Sequence, residues 1–584
     1  MDHKPLSQLE IDRSRITTAQ ARGPIHEVLA YSRLSGPGWL QSAMTLGAGS
    51  LGSSLYLGIL GGFSLLWIQP IAMLMGVVML GALSYVTLST GQPTFRAINA
   101  HINPALGWLW IVAVLLANVV WSLPQFAMCF AAIEQNLAPN LFLGDGLLSS
   151  DSHGSTPIGQ YLVSAVVFAV CLSITWSYGK GSVGIRIYES ILKVVVGLIV
   201  LSFMVVVLQM LFITGTGDVS ELFMGFIPNP AQFFRPTASF DPLLKQVSSP
   251  WAREYWSQLI VGQQRDVMIS AAASAVGINM TYMMSSLLLG RHWGRDFRRL
   301  AIFDLLTGMF IPYFLATSCV VIASAQQFHA KVPTGFEIED GEIVIPDRFA
   351  GQYGNLLAGR EAASRAQNEA INESPSLAEQ RLAAVLVRRD AFDLAQSLEQ
   401  LFAGASEEVS RSRRAAGLLF GVGVLGMTLS SISLMMLISG LVVCDVLEID
   451  ASGRTFRVAC ALGGFGMLWP MFWQGEARVW LTVVAGMFTS MLLPIAYVSF
   501  AMLMNTRSLM QSDMLSGRQR WICNSLMILC VIAVSVGCVV AVAKTAGWYG
   551  VIPATAVLLV LSLGHFWDHV SLYLPSSNAN AASE

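Results

Sequence analysis

The sequence predicts an all-α membrane protein with about twelve transmembrane helices. Three observations predict it. Only 12% of its 584 residues are charged, where soluble domains carry about 25%. Apolar runs of about 20 residues, the length a helix needs to cross the hydrocarbon, recur along the chain. Mean hydropathy is +0.60. A net charge of -2, without blocks of like charge, gives no footprint for nucleic acid. The eight cysteines lie in or beside apolar runs without CxxC spacing, so they read as small core residues, not as zinc ligands or disulfides.

The spans fall at 36–60, 64–90, 105–135, 157–176, 183–213, 264–290, 300–325, 415–442, 455–474, 479–504, 521–543 and 550–568. Lys180 and Arg186, "GRHWGRDFRR" (290–299), Arg454, Arg457, Arg507, Arg518 and Arg520 fall on one side. The segment 136–156 on the other side has no Lys or Arg. The positive-inside asymmetry predicts a cytoplasmic N-terminus and an inner or plasma membrane. Residues 1–35 then form a cytoplasmic segment, 36–326 the first seven helices, and 327–414 an extracytoplasmic helical insertion. Residues 415–570 form helices eight to twelve, and 571–584 a tail. Within the insertion, 379–402 has apolar residues at helical spacing. A second outer segment is expected at 214–263. Trp67, Trp108, Trp110, Trp473 and Trp480 lie near span ends, as an aromatic belt would.

Two spans carry an anomaly. "MTLGAGSLGSSLYLG" (44–58) places four glycines and three serines in the first span. Glycine costs about 1 kcal/mol in a helix relative to alanine. Such clustering lets the chain leave helical geometry at mid-membrane, which is tolerated where the backbone is buried or lines a cavity. Close packing through small residues is the other reading of the first span alone. The sixth span, "SAAASAVGINMTYMMSSLLLG" (270–290), is interrupted at Gly277-Ile278-Asn279. Breaks in the first and sixth spans, five apart, are the pattern of a five-plus-five inverted repeat with its substrate between them.

At this point the chain resembles the Nramp-type metal-ion transporters, a branch of the LeuT-fold transporters, over about 36–505. "GPGWLQSAMTLGAG" with "GGFSLLW" (61–67), "YGKGSVGIRIYESILKVVVGLIVLSF" (178–203), "FDLLTGMFIPYF" (303–314) and "LLFGVGVLGMTLSSISLMMLISGLVV" (418–443) are similar to the family's first, fifth, seventh and eighth spans. Ser430 and Ser431 match its paired serines, and Pro494 a Leu-Pro of the tenth span. The resemblance implies a LeuT-type 5+5 inverted repeat with broken helices 1 and 6. It implies a substrate site at Gly47, Ala48, Gly49, Ser50, Val276, Gly277, Ile278, Asn279 and Thr281, with Ser50 and Asn279 as metal ligands. It also implies coupling or gating positions at Ser122, Gln125 and Asp304.

The chain departs from the family where the chemistry lies. The Asp-Pro-Gly-Asn of the first break is matched by Gly47, Ala48, Gly49 and Ser50. The methionine of the second is matched by Val276, a histidine by Met283 and the tenth-span glutamine by Leu492. An acidic pair is matched by Ser122 and Gln125, while Asp304 keeps its acid. The remaining oxygen donors are neutral and hard, without a soft ligand. They favour a Mg²⁺-like cation that keeps water over Mn²⁺ or Fe²⁺. A small organic solute such as an amino acid is the alternative, its carboxylate docking on N–H groups near Gly49 to Leu51. A non-transporting sensor on the same fold is a third reading. No cofactor is called for, and HExxH and GxSxG motifs are missing, so the chain reads as no enzyme. Glu134 and Asp445, near span ends, are expected to reach water or headgroups.

Overall fold

The computed structural model describes residues 8–142, 146, 148–150, 154–178, 190, 194, 197, 201, 204, 219–333, 336–339, 342–366, 374–389, 408–451, 453–473 and 478–571. Most of the expected fifth span, Arg186 included, and most of the 379–402 helix lie outside the described residues. Eight of the described helices are long and apolar enough to cross a membrane, or nine if a bent pair is one span.

Two N-terminal helices, α1 (Gln8–Arg22) and α2 (Pro24–Leu34), precede the bundle. The first span is split into α3 (Pro37–Thr45) and α4 (Ala48–Gly61). Pro37 opens α3 where its missing N–H costs nothing. α5 (Ile68–Thr90) ends on Gly91 at φ 66, the left-handed cap that glycine adopts most easily. α6 (Pro104–Ala132) starts where the Asn103 side chain accepts from the Ala105 N–H at 2.8 Å. α7 (Pro157–Tyr178) is the fourth span.

The sixth span is split into α8 (Pro250–Ala275) and α9 (Ile278–Gly290). Residues 250–263, expected in an outer segment, therefore extend the sixth span. Hydropathy stops short there because 250–263 carries Arg253, Glu254, Gln258 and Gln263. The three polar residues that follow, Gln264, Arg265 and Asp266, are each satisfied by a neighbour. Gln264 donates to the Gln232 carbonyl at 3.1 Å, Arg265 to the Phe233 carbonyl at 2.7 Å, and Asp266 accepts from Lys544.

The seventh span runs through α10 (Arg298–Asp304), a π-helical stretch (Leu305–Phe310) and α11 (Ile311–Phe328). Pro312 lacks an N–H, and the ladder shifts in the stretch before it. In the insertion, α12 (Asp347–Ala366) packs on α13 (Leu377–Leu386). The fully buried Arg360–Glu379 pair, 2.8 Å apart, ties them. Trp256 of α8 donates to the same carboxylate at 3.3 Å, and Tyr56 of α4 donates to the Arg389 carbonyl at 2.6 Å. The insertion thus sits on the ends of both broken spans.

α14 (Glu408–Val446) is the eighth span. The ninth begins as α15 (Arg454–Cys460) and continues as a 3₁₀ stretch (Ala461–Leu468) packed on α6. The tenth bends by 41° between α16 (Trp480–Ser490) and α17 (Leu493–Leu503), where Pro494 stands. The last two expected spans lie within α18 (Gly517–Ser571) as two helices that meet at a kink at Gly547 (φ 63, ψ -169).

Three expectations at span ends change. Glu134 is buried and paired with Arg478, whose guanidinium lies 5.0 Å from the Phe130 ring. It is not exposed to water. Trp110 is fully buried and donates to Thr281 Oγ1 at 3.2 Å. Trp480 is buried against Tyr56, ring centroids 4.7 Å apart. Neither belongs to a belt.

Candidate functional site

The two breaks are short. In the first span only Leu46 (φ -79, ψ 65) and Gly47 (φ -119, ψ -168) leave helical geometry. Ala48, Gly49 and Ser50, expected within the unwound centre, form the first turn of α4 instead. In the sixth span the break is Val276 (φ -142, ψ 107) and Gly277 (φ -78, ψ 158), and Ile278 and Asn279 open α9.

Backbone groups freed at the first break are taken up by other spans. Gln125 of α6 accepts from the Ala48 N–H at 2.9 Å. Ser430 of α14 donates to the Ala43 carbonyl at 3.1 Å, and Ser431 to the Met44 carbonyl at 3.2 Å. These contacts leave no space at Gly47. A Cβ there would lie 2.5 Å from both Gln125 Nε2 and Ser431 Oγ. The second break is held more locally. Asn279 Oδ1 accepts from the Met280 N–H at 3.1 Å, and Asn279 Nδ2 donates to Asn118 Oδ1 at 2.8 Å. Gln41 of α3 donates to the Met280 carbonyl at 3.1 Å, and Ser53 and Ser274 meet at 2.9 Å. The two broken spans are thereby joined on both sides of the breaks.

Between them lies a cavity of about 20 Å³, lined by Met44, Thr45, Gly49, Ser50, Trp121, Gln125, Ala273, Ser274, Gly277, Asn279, Met280 and Met435. A cavity of that size admits roughly one water. Every lining side chain is uncharged. The carbonyl ends of α3 and α8 (Thr45, Ala273) and the N–H ends of α4 and α9 (Gly49, Asn279) meet at this point. Helix C-termini favour cations and N-termini anions, so the wall offers both polarities from backbone alone.

Of the expected site residues, the structure gathers Gly49, Ser50, Gly277, Asn279 and Gln125 at this cavity, with Gly47 and Ala48 behind them. Ser50 Oγ also bonds the Gly47 carbonyl at 3.0 Å. The remainder lie elsewhere. Val276 packs on Gly76 of α5, and Thr281 turns to Trp110 and its own helix carbonyl at Ile278. Ile278 is buried outside the lining, and Ser122 bonds the Val119 carbonyl at 2.7 Å. Asp304 sits at the start of α3. Its carboxylate accepts from the Ser35 hydroxyl, from the Gly38 N–H at 2.6 Å and from the Gly36 N–H at 3.4 Å. It fastens the seventh span to the first at the N-terminal end of the bundle. Gly38 is required there, because a Cβ would strike the Asp304 carbonyl.

Residue-by-residue reading missed Trp121, Asn118, Ser274 and the three methionines. The methionines correct the expectation of a wall without soft groups, and Thr45 Oγ1 lies 3.5 Å from Met280 Sδ. A polar residue inside an apolar run was the available signal for Asn118. The methionines carry none, since they match ordinary core positions. Among the described residues no three His, Cys, Asp or Glu side chains converge.

The family model described as "Natural resistance-associated macrophage protein-like" (Nramp) matches residues 38–345 and 388–541. No curated protein matches the chain. Among solved structures, a manganese transporter of Eremococcus coleocola crystallised with an aromatic bis-isothiourea substituted compound is 13% identical, with a TM-score of 0.56 over 93% of this chain and 94% of that one. Two point mutants of that transporter align over the same shares at 13% identity and a TM-score of 0.58. The likeness extends across the whole bundle and shows a common fold, the LeuT-type 5+5 arrangement with its first and sixth helices broken.

Proposed function

The chain belongs to the Nramp family of transporters, an integral multi-pass membrane protein and no enzyme, and on that premise we propose that it carries a divalent metal cation by alternating access around the cavity between the two breaks. The observation that carries this reading is the meeting of four helix ends and a set of neutral oxygens at one cavity with room for an ion or a single water. The Ser50 hydroxyl, the Gln125 and Asn279 amides and the backbone carbonyls are hard, uncharged donors. They support a Mg²⁺-like ion over Mn²⁺ or Fe²⁺. Met280, which lines the cavity and whose sulfur accepts from Thr45 Oγ1 at 3.5 Å, supports Mn²⁺ as a second reading. Ser50 and Asn279 are the proposed ligands. An amino acid needs more room than about 20 Å³, so the organic-solute alternative requires a wider conformation of the same site. In this reading residues 1–35 face the cytoplasm and the 327–414 insertion covers the outer end.

The geometry at the two ends of the first span supports the alternating-access reading. Asp304 pins α3 at the N-terminal end, and the insertion holds α4 at the other through Tyr56. Because Leu46–Gly47 separates α3 from α4, one half can tilt while the other stays fixed. Uptake of Mg²⁺ and Mn²⁺ into proteoliposomes tests the reading. Saturable uptake of either ion is expected. An absence of flux for both cations and for amino acids would favour the sensor reading.

A further inference from the structure

A second cavity lies on the same helix seam. It measures about 220 Å³ and is lined on one side by Tyr282, Ser285 and Ser286 of α9 and on the other by Cys444 and Asp445 of α14. Thr94 completes it and donates to Ser285 Oγ at 2.8 Å. Asn279 and Tyr282 are three residues apart on α9, about 4.5 Å along its axis. Met435, which lines the central cavity, and Leu441, which lines the second, lie on the same helix α14. The two cavities therefore follow one another along the α9–α14 seam. Tyr282, buried and hydrogen-bonded to Asp445, lines the second cavity one turn beyond Asn279.

Their contents differ in a way that matters to an ion. The central cavity is uncharged and admits roughly one water, whereas the second has room for several waters. The second also contains a carboxylate. Arg96 acts on Asp445 and is also paired with Glu448 at 3.3 Å, so its charge is shared between two carboxylates. A divalent ion leaving a neutral site with little water must recover its hydration shell, and a carboxylate beside a water-filled space lowers the cost of that step.

We propose that this cavity is a second cation station, in which Asp445 with the hydroxyls of Tyr282, Ser285 and Ser286 receives a hydrated divalent cation between the central cavity and the N-terminal end of the bundle. The proposal rests on the cation-transport reading of the central site. A cation that takes Asp445 as a partner competes for its hydrogen bond with Tyr282.

Cys444 supplies a native reporter. The full-length protein is treated with a cationic or an anionic methanethiosulfonate, and modification of Cys444 is followed by peptide mass spectrometry. The more exposed Cys523 serves as the reference for intrinsic reactivity. The cationic reagent is expected to modify Cys444 at least tenfold faster than the anionic one after that correction. Saturating Mg²⁺ or Mn²⁺ is expected to slow the reaction at least fivefold, and Asp445→Asn to remove that protection. Equal rates for the two reagents in the wild-type protein, or protection unchanged in Asp445→Asn, would overturn the station. The wild-type comparison needs no variant to fold. Cation uptake is measured on the same preparations. Protection that depends on Asp445 without uptake would sink the transport reading and leave the station standing. Uptake without protection would do the reverse.

Discussion

The two helix breaks look alike in sequence and are held in different ways. At Leu46–Gly47 the freed backbone groups are satisfied by Gln125, Ser430 and Ser431, side chains from the third and eighth spans. At Val276–Gly277 the work is done mainly by Asn279 on the same span, braced by Asn118. The first break is thus a property of the packed bundle, whereas the second is largely local. The difference teaches that the first break is the one that fixes the site to its surroundings. It is also the one whose repair by substitution must move neighbouring helices.

The largest expected effect follows from space at Gly47. Gly47→Ala puts a methyl 2.5 Å from two fixed polar atoms of neighbouring spans, an overpacking that costs about 1–3 kcal/mol. Cation uptake should fall to background. Gly277→Ala meets only the Oδ1 of its own Asn279 at that distance, a side chain that can turn, so uptake should fall but persist. Equal losses in the two variants would break the comparison.

Gln125→Ala comes next. It leaves the buried Ala48 N–H without its acceptor, at about 1–3 kcal/mol. A drop in the thermal unfolding midpoint with at least tenfold slower uptake is expected. An unchanged midpoint would show that the first break does not depend on the third span. Asp304→Asn should act at the N-terminal end instead. It weakens bonds to the first turn of α3 that are stronger for being charge-assisted. Proteolysis between α2 and α3 should accelerate, while cation affinity stays within about twofold. A lost affinity would place Asp304 in the site after all.

The smallest effect is expected for Ser430→Ala. Ser431 also reaches the Ala43 carbonyl, at 3.3 Å, so the single change should cost less than about 1 kcal/mol and the double change with Ser431→Ala clearly more. Thermal melts of the three variants in detergent check this.

Much of the fold was legible because membrane spans declare themselves by length and apolarity, and because glycine clusters in the first and sixth spans stand out against them. The exact breaks were not legible. Ala48-Gly49-Ser50 reads as unwound from composition, yet it is helical because Gln125, some 77 positions away, caps its first N–H. The start of the sixth span was hidden by Arg253, Glu254 and Gln258, whose polarity is met by partners that hydropathy cannot see. At the site, the missing carboxylate and the surviving Asn279 were visible in the sequence. Trp121 and the methionines were not, since an aromatic or a thioether in an apolar helix is ordinarily core. Asp304 was visible as an intramembrane acid. Its place at the start of α3 required the packing of the seventh span against the first.

The central claim is that both breaks wall one cation site. It is tested most directly by isothermal titration of the purified protein with Mg²⁺ and Mn²⁺, wild type against Asn279→Ala, with thermal melts confirming that the variant is folded. Saturable binding of at least one ion in the wild type and a loss of at least a hundredfold in affinity in the variant are expected. Affinity unchanged in Asn279→Ala, or a wild-type protein that binds neither ion, would contradict the account.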